Sequence, residues 1–257
     1  MAKETLIAVM KRYELKYRLS KENVQLFMDE ISKYMKMDSY GLSSIASLYL
    51  DTPDYRLINK SIEKPKFKEK VRVRSYGLNK GDRPVYLEVK RKFEKVVYKR
   101  RIALLEKDIK TFLNGESFED KGQIAKELRF LKERYGELEP KYLIIYDRVA
   151  YYQDDGDLRL TIDMNPRYRV KDLNLHTSME GIPLLNEGEA ILEIKVQHSI
   201  PLWLVSILTK LKIYQSSFSK VGTAHKMENA KNKDGTAINY QNTEGGKNNG
   251  LIIQSLA

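Results

Sequence analysis

Apolar and polar residues alternate with a period of two along much of this chain, the mark of strands with one face buried and the other not. Leu15, Tyr17 and Leu19 interleave with Glu14, Lys16 and Arg18; Val71 and Val73 with Arg72 and Arg74; Leu87 and Val89 with Glu88, Lys90 and Lys92. Leu158, Leu160 and Ile162 likewise alternate with Arg159, Thr161 and Asp163, and Leu192, Ile194 and Val196 with Glu193 and Lys195. Lys99 and Arg101 fit less cleanly, because Arg100 sits between them. These patterns and the turn residues between them predict strands at residues 7–19, 44–51, 67–76, 84–93, 95–105, 140–152, 157–169 and 189–197. Asp154-Asp155-Gly156 marks a tight hairpin turn.

Helical spacing takes over after Ser20, a candidate N-cap, where Val24, Phe27, Met28, Ile31 and Met35 share one face. Thr52-Pro53 reads as the start of a short helix, with Thr as cap and Pro at the first helical position. Ile124, Leu128, Leu131 and Tyr135 predict a helix over 123–135 stopped by Gly136. Another opens at Ile200-Pro201 and runs to Leu211, and a short one spans 217–224. Residues 1–227 are therefore expected to form one folded domain. Residues 228–257, rich in Asn, Gly, Lys and Thr up to 250, are expected to be a disordered tail.

An ordinary antiparallel sheet would explain the alternation, but its solvated face would mix Ser, Thr and Gln with the charges. Here the polar positions at the strand centres are Glu, Lys and Arg, and at least four helices are available to cover the apolar face. The expected fold is therefore α+β: a closed antiparallel β-barrel with a charged lumen and helices packed outside.

Charge sharpens this picture. The 257 residues carry 46 Lys+Arg and 35 Asp+Glu, a net +11. Residues 56–101 alone hold 17 basic and 5 acidic residues, which leaves 29 and 30 elsewhere, so the excess belongs to one segment. The Lys64-Pro65-Lys66-Phe67-Lys68-Glu69-Lys70 run within it reads as a solvated loop that could steer anions. The absence of Cys excludes disulfides, thiolate metal sites and Cys nucleophiles. The three His lack ligand spacing, and there is no GxxxxGK[ST] or GxGxxG nucleotide loop. No apolar run approaches membrane-spanning length, and Leu6-Ile7-Ala8-Val9 is too short for a signal-peptide core, so a cytoplasmic protein without a membrane segment is expected.

A dry lumen of unpaired cations would cost several kcal/mol per charge, so such a lumen stays wet or holds a polyanion. Arg offers a planar donor fork for phosphate and Lys a mobile point charge. Carboxylates on the same lining repel phosphate directly but can hold Mg2+ or Mn2+ that bridges phosphate oxygens. The combination points to metal-assisted triphosphate or polyphosphate chemistry.

At these residues the chain resembles the VTC domain, the polyphosphate polymerase domain of the vacuolar transporter chaperone type, in its stand-alone bacterial form within the triphosphate tunnel metalloenzymes. Glu14 to Leu19, Ser47-Leu48-Tyr49-Leu50-Asp51, Arg72-Val73-Arg74, Leu87-Glu88-Val89-Lys90, Lys99-Arg100-Arg101, Tyr146-Asp147-Arg148, Arg159 to Asp163, Leu192-Glu193-Ile194-Lys195 and Phe218-Ser219-Lys220 carry it, in order, over residues 8–225. The resemblance implies a tunnel barrel, with one helix closing the tunnel, that moves the γ-phosphoryl group of ATP onto a growing inorganic polyphosphate chain with Mn2+ or Mg2+. It implies Arg72, Arg74, Lys90, Arg148 and Lys220 as the catalytic cations and Lys16, Lys99, Arg101, Arg159 and Lys195 as further phosphate-binding positions. Glu193 would hold the metal, with Glu88 and Glu14 as additional carboxylates. Where the family leads one to look for another lysine before Lys220, this chain has Ser216-Ser217. Two other functions remain open: a triphosphatase of the same fold with water as acceptor, and a non-enzymatic polyanion module. For the latter, Tyr76, Tyr86, Phe93 and Tyr98 would supply base-stacking surfaces, although nucleic acid is not the expected partner.

Overall fold

A computed structural model describes residues 13–63, 65–81, 83–94, 96–113 and 122–234. The alternating segments form β1 (Tyr13–Leu19), β2 (Lys36–Met37), β3 (Ser43–Asp51), β4 (Phe67–Tyr76), β5 (Val85–Phe93), β6 (Val96–Leu104), β7 (Glu139–Tyr152), β8 (Arg159–Arg169), β9 (Ile182–Pro183) and β10 (Ala190–Val196). The helices are α1 (Lys21–Ile31), α2 (Arg56–Ile62), α3 (Glu106–Leu113), α4 (Gly122–Tyr135), α5 (Leu202–Lys210) and α6 (Lys220–Asp234). The α+β class is as expected.

All ten strands pair antiparallel in one sheet of order β1-β10-β8-β7-β3-β4-β5-β6, with β2 added on β7 and β9 on β8. The expected closed barrel is not formed. Among the described residues no ladder joins β1 to β6, so the sheet is open and these strands are its edges. The outer edge of β1 is occupied instead by the segment leading to α6. Tyr17 pairs with Gln215, and the Ser216 amide donates to the Lys16 carbonyl at 2.8 Å. The segment thus lies along the side of β1 away from β10, where a further strand would have to pair. The sheet is nonetheless strongly curled: Lys90 on β5 reaches Glu14 on β1 at 3.2 Å, although five strands separate them along the sheet.

Strand parity divides the two faces. On the convex face, α1 and α5 pack Phe27, Ile31, Leu204, Ile207 and Leu208 against Leu19, Leu160, Ile162, Leu192 and Ile194. Further along, α3 and α4 cover Leu48, Val71, Val73, Leu87 and Val89 with Ile109 and Leu131. The concave face is charged at its centre. At one side it is filled by α6 and α2, whose Val221, Ala224, Met227 and Ile58 pack on Tyr49, Tyr142, Ile144, Tyr146 and Tyr168. Tyr168 joins this cluster only because of a bulge in the β7–β8 pairing, where Asn165 takes a φ of +48°. The extra residue shifts the parity, so that odd-numbered Asp163 and even-numbered Tyr168 share a face.

Several elements depart from the sequence reading, beginning with the two-residue strands β2 and β9, which it did not expect. The short helix expected from Thr52-Pro53 begins at Arg56, because buried Asp51 accepts the Leu57 and Ile58 amides at 2.8 Å each and Thr52 Oγ1 accepts that of Arg56. Helix α3 was not expected; Glu106 and Asp108 in its first turn suit the positive end of the helix dipole. Helix α6 runs to Asp234, past the expected end at 224 and into the expected tail. There polar contacts replace an apolar stripe, with Glu228 accepting from Tyr168 Oη at 2.6 Å and from Lys231 at 2.9 Å. Residues 7–12 of the first expected strand and the tail beyond 234 lie outside the described residues.

Candidate active site

The concave face brings together charges from seven strands and one helix. Two buried carboxylates organise them. Glu88 on β5 accepts from Arg72 Nε at 2.8 Å and Nη2 at 2.7 Å, and Lys99 Nζ lies 2.7 Å from its other oxygen. Arg74, also on β4, stands 3.9 Å away and donates to Tyr146 Oη at 3.1 Å. Burial alone would raise the Glu88 carboxyl, but Arg72, Arg74 and Lys99 outweigh it and hold it down to about 2.

The second centre is Asp163 on β8. Arg148 grips it with both arms of its fork, at 2.5 and 2.8 Å, and Lys220, the first residue of α6, pairs with the same carboxylate. Lys220 also lies 4.4 Å from the centre of the Tyr146 ring, a cation–π contact. Burial again opposes ionisation, and Lys220 and Arg148 overcome it to hold Asp163 at about 2.

A third group lies where β1 and β10 meet. Glu193 receives Lys195 and Arg148, each at 3.6 Å, and Glu14 receives Lys16 at 3.5 Å and Lys90 at 3.2 Å. Lys16 also donates to the Phe218 carbonyl at 3.2 Å. Glu193 is held well below the usual carboxylate range: burial works against this, while Lys195, Lys16 and Arg148 favour the charged form. Glu14 and Glu193 are diagonal neighbours on paired strands, two residues apart in register, so they repel when both are ionised, and a divalent cation between them would relieve that. Mg2+ commonly uses one or two carboxylates and completes its shell with phosphate and water, so Glu14 and Glu193 fit such an ion. Glu88 does not fit, because Arg72 and Lys99 hold its two oxygens at 2.7–2.8 Å, whereas the cations on Glu14 and Glu193 stand at 3.2–3.6 Å. No group of three or more His, Asp or Glu is placed to hold a metal unaided among the described residues.

Most of the residues singled out from the sequence thus converge: Glu14, Lys16, Arg72, Arg74, Glu88, Lys90, Lys99, Arg148, Glu193, Lys195 and Lys220. Arg101 lies over the Tyr86 ring at 5.0 Å, on the same face toward the β6 edge. Arg159 does not join them. It is exposed, donates to the carbonyls of Gln153 and Leu158, and stacks on Tyr152. The sequence reading missed Asp163, Tyr49, Tyr146 and Lys70. Each has inward parity, and Asp163 stood in a charged row, but nothing local says that its partners come from β7 and α6. Lys70 belongs to β4 rather than to a solvated loop, and donates to Ser219 Oγ at 3.2 Å. Crowding by other cations and burial pull its ammonium down to about 8, burial being the larger effect.

The carboxylates give the fold an acid limit. Ordinary values are 4.5 for Glu88 and 3.8 for Asp163, and both are lower in the folded protein. Each therefore contributes its stability in full above its ordinary value and loses it as the pH falls toward 2. For Glu88, whose side chain is 1% exposed, this amounts to about 3 kcal/mol. Denaturant midpoints should drop between about pH 5 and pH 2, and less steeply in Glu88→Gln. Equal slopes in the two proteins would contradict this role of Glu88.

The four aromatics considered as base-stacking surfaces fall on opposite faces. Tyr76 and Tyr86 meet edge-on at 5.8 Å on the concave side, whereas Phe93 and Tyr98 line a cleft with Phe67, Arg91, Arg100 and Glu127 on the other. They form no continuous track.

Comparison with known proteins now adds to the geometry. A family profile described as the VTC domain matches residues 11–228. A Hippeastrum protein reported to have a dominant triphosphatase activity has a similar structure, with a TM-score of 0.52 and 18% identity over 83% of this chain and 94% of that one. A Bacillus halodurans protein named as a candidate adenylate cyclase superposes with a TM-score of 0.50 and 16% identity, over 82% of this chain and 96% of that one. At these identities the likeness is one of fold. A comparison with curated proteins gives no match. No helix is long and apolar enough to cross a membrane among the described residues.

Proposed function

The chain belongs to the VTC domain family, and from that premise we propose that it acts as a polyphosphate polymerase, moving the γ-phosphoryl group of ATP onto the end of an inorganic polyphosphate chain. The observation that carries this reading is the convergence of Arg72, Arg74, Lys99, Arg148 and Lys220 on two buried carboxylates of one concave face, with Lys16, Lys90 and Lys195 completing the wall. A linear polyanion with one charge or more per phosphate is the ligand such a face neutralises best. The Hippeastrum protein's triphosphatase activity agrees with phosphoanhydride chemistry on this fold.

Phosphoryl transfer asks for positioning and charge neutralisation more than for a protein nucleophile. Glu88 and Tyr49 hold Arg72, and Tyr146 and Ser47 hold Arg74, so both guanidinium groups are fixed before substrate arrives. Preorganised donors of this kind need no rearrangement as charge develops on the transferred group. Lys220 and Arg148, tied to Asp163, face them from the β7–β8 side and would take the opposite end of the phosphate run. A divalent ion held by Glu14 and Glu193 would supply charge neutralisation between neighbouring phosphates. The attacking oxygen belongs to the chain end; the bond broken is the β–γ anhydride of ATP, and ADP leaves.

The test is incubation with ATP, and separately with tripolyphosphate, each with Mg2+ and with Mn2+, followed by gel separation of phosphate chains. Chain growth from ATP is expected. Phosphate release without growth would replace the polymerase reading with a triphosphatase. Salt-sensitive duplex or single-strand binding without either activity would replace it with a nucleic-acid module.

A further inference from the structure

Tyr49 occupies a position that phosphate binding and charge neutralisation do not by themselves explain. It lies on the inward row of β3, opposite Arg72 of β4 on one side and Tyr142 of β7 on the other, and is 9% exposed. Its hydroxyl accepts from Arg72 Nη1 at 3.2 Å, and the Arg72 guanidinium carbon is 5.9 Å from the ring centre. A guanidinium can only donate, so the phenol oxygen is an acceptor here. Among the described residues no hydrogen bond has the Tyr49 hydroxyl as its donor. The charged groups acting on it are cations: Arg72, Lys70 and Arg74 from β4, and Lys16 from β1. α2 and α6 bring Ile58 and Val221 to its cluster, Phe218 flanks that cluster, and the Tyr142 hydroxyl is engaged with His225 Nδ1 at 3.0 Å. Glu88, the nearby carboxylate, is bound to the far side of Arg72.

Building on the phosphate-binding reading above, we propose that Tyr49 is a proton-exchanging phosphate ligand. In the free protein it is a phenolate that balances Arg72 and Lys70. With a triphosphate or polyphosphate on the concave face it is a phenol that donates its hydrogen bond to a phosphate oxygen. The balance is simple: one proton is taken from solvent as the polyanion arrives, and no other bond forms or breaks. Electrostatics run the same way. Burial pushes the phenol up, but Arg72, Lys70 and Arg74 outweigh it and bring it down to about 7 in the free protein. A polyanion on the same cations cancels that pull, and the phenol regains its proton.

The experiment follows tyrosinate absorbance of the whole protein against pH, with and without saturating tripolyphosphate, beside calorimetric binding of tripolyphosphate. The free protein should show one tyrosine ionising near neutral pH, absent from Tyr49→Phe and suppressed by tripolyphosphate. Tyr49→Phe, which keeps the ring, should bind tripolyphosphate about tenfold or more weakly at neutral pH. A neutral transition that persists in Tyr49→Phe, or that tripolyphosphate leaves unchanged while calorimetry shows it bound, overturns the assignment of Tyr49 and leaves the proposed function standing. Failure of tripolyphosphate to bind overturns both. A transition that behaves as expected in a protein that grows no chains supports Tyr49 as a phosphate ligand and removes only the polymerase reading.

Discussion

Arg74→Ala is expected to slow phosphoryl transfer from ATP by about 100- to 1,000-fold, the loss typical of one preorganised donor in a water-poor site. Arg74 is 6% exposed, and its contacts with Tyr146 and Ser47 fix the guanidinium without engaging all of its donors. Glu88 keeps Arg72 and Lys99 when Arg74 is gone, so no carboxylate is left unpaired and the fold should survive. The loss should therefore fall on catalysis. Arg74→Lys retains the charge but not the planar fork, and should land between the alanine variant and the native protein. Steady-state rates with ATP and tripolyphosphate, beside a denaturant midpoint for each variant, check this. An alanine variant within a few-fold of native activity would place the reacting phosphate away from Arg74.

Asp163→Ala should have the largest effect on stability, about 3–5 kcal/mol, because it removes the anion from a buried group of charges. Asp163 is fully buried, and without it Arg148 retains Glu193 at 3.6 Å and the Tyr146 ring at 5.1 Å, while Lys220 retains the face of the same ring. The same change unties the first turn of α6 from β8. Asp163→Asn keeps the shape and one acceptor and should lose less. Tripolyphosphate should restore much of the lost stability in Asp163→Ala, since a bound polyanion supplies the missing negative charge and binds only the folded state. Thermal and denaturant midpoints with and without tripolyphosphate read this directly. An alanine variant as stable as the native protein would show that Arg148 and Lys220 do not depend on Asp163.

Much of the fold was legible because strand formation here is a local matter. The expected strands at 67–76, 84–93 and 140–152 agree with β4, β5 and β7 to within a residue at each end, since alternation and bounding turns are written in consecutive residues. Boundaries set by distant partners were not legible. Helix α2 starts at Arg56 because the buried Asp51 carboxylate caps it from β3, and α6 continues past 228 because Tyr168 holds Glu228. Hydropathy registers neither contact. The convex-face charges were also unexpected: Arg91 and Arg100 point away from the cationic face and meet on Glu127 of α4.

Which residues share a face is written in the local pattern. Period-two alternation placed Arg72, Arg74, Glu88, Lys90, Glu193 and Lys195 on the charged side, because side-chain direction in a strand follows from the pleat alone. What that side encloses is set by long-range packing. Curling brings Lys90 to Glu14, 76 residues away in the chain, and the Asn165 bulge places Tyr168 on the same face as Asp163. The Gln215–Ser216 segment occupies the edge of β1 and leaves the sheet open rather than closed. Curvature, bulges and edge pairing depend on contacts between residues far apart in sequence, and no local period encodes them.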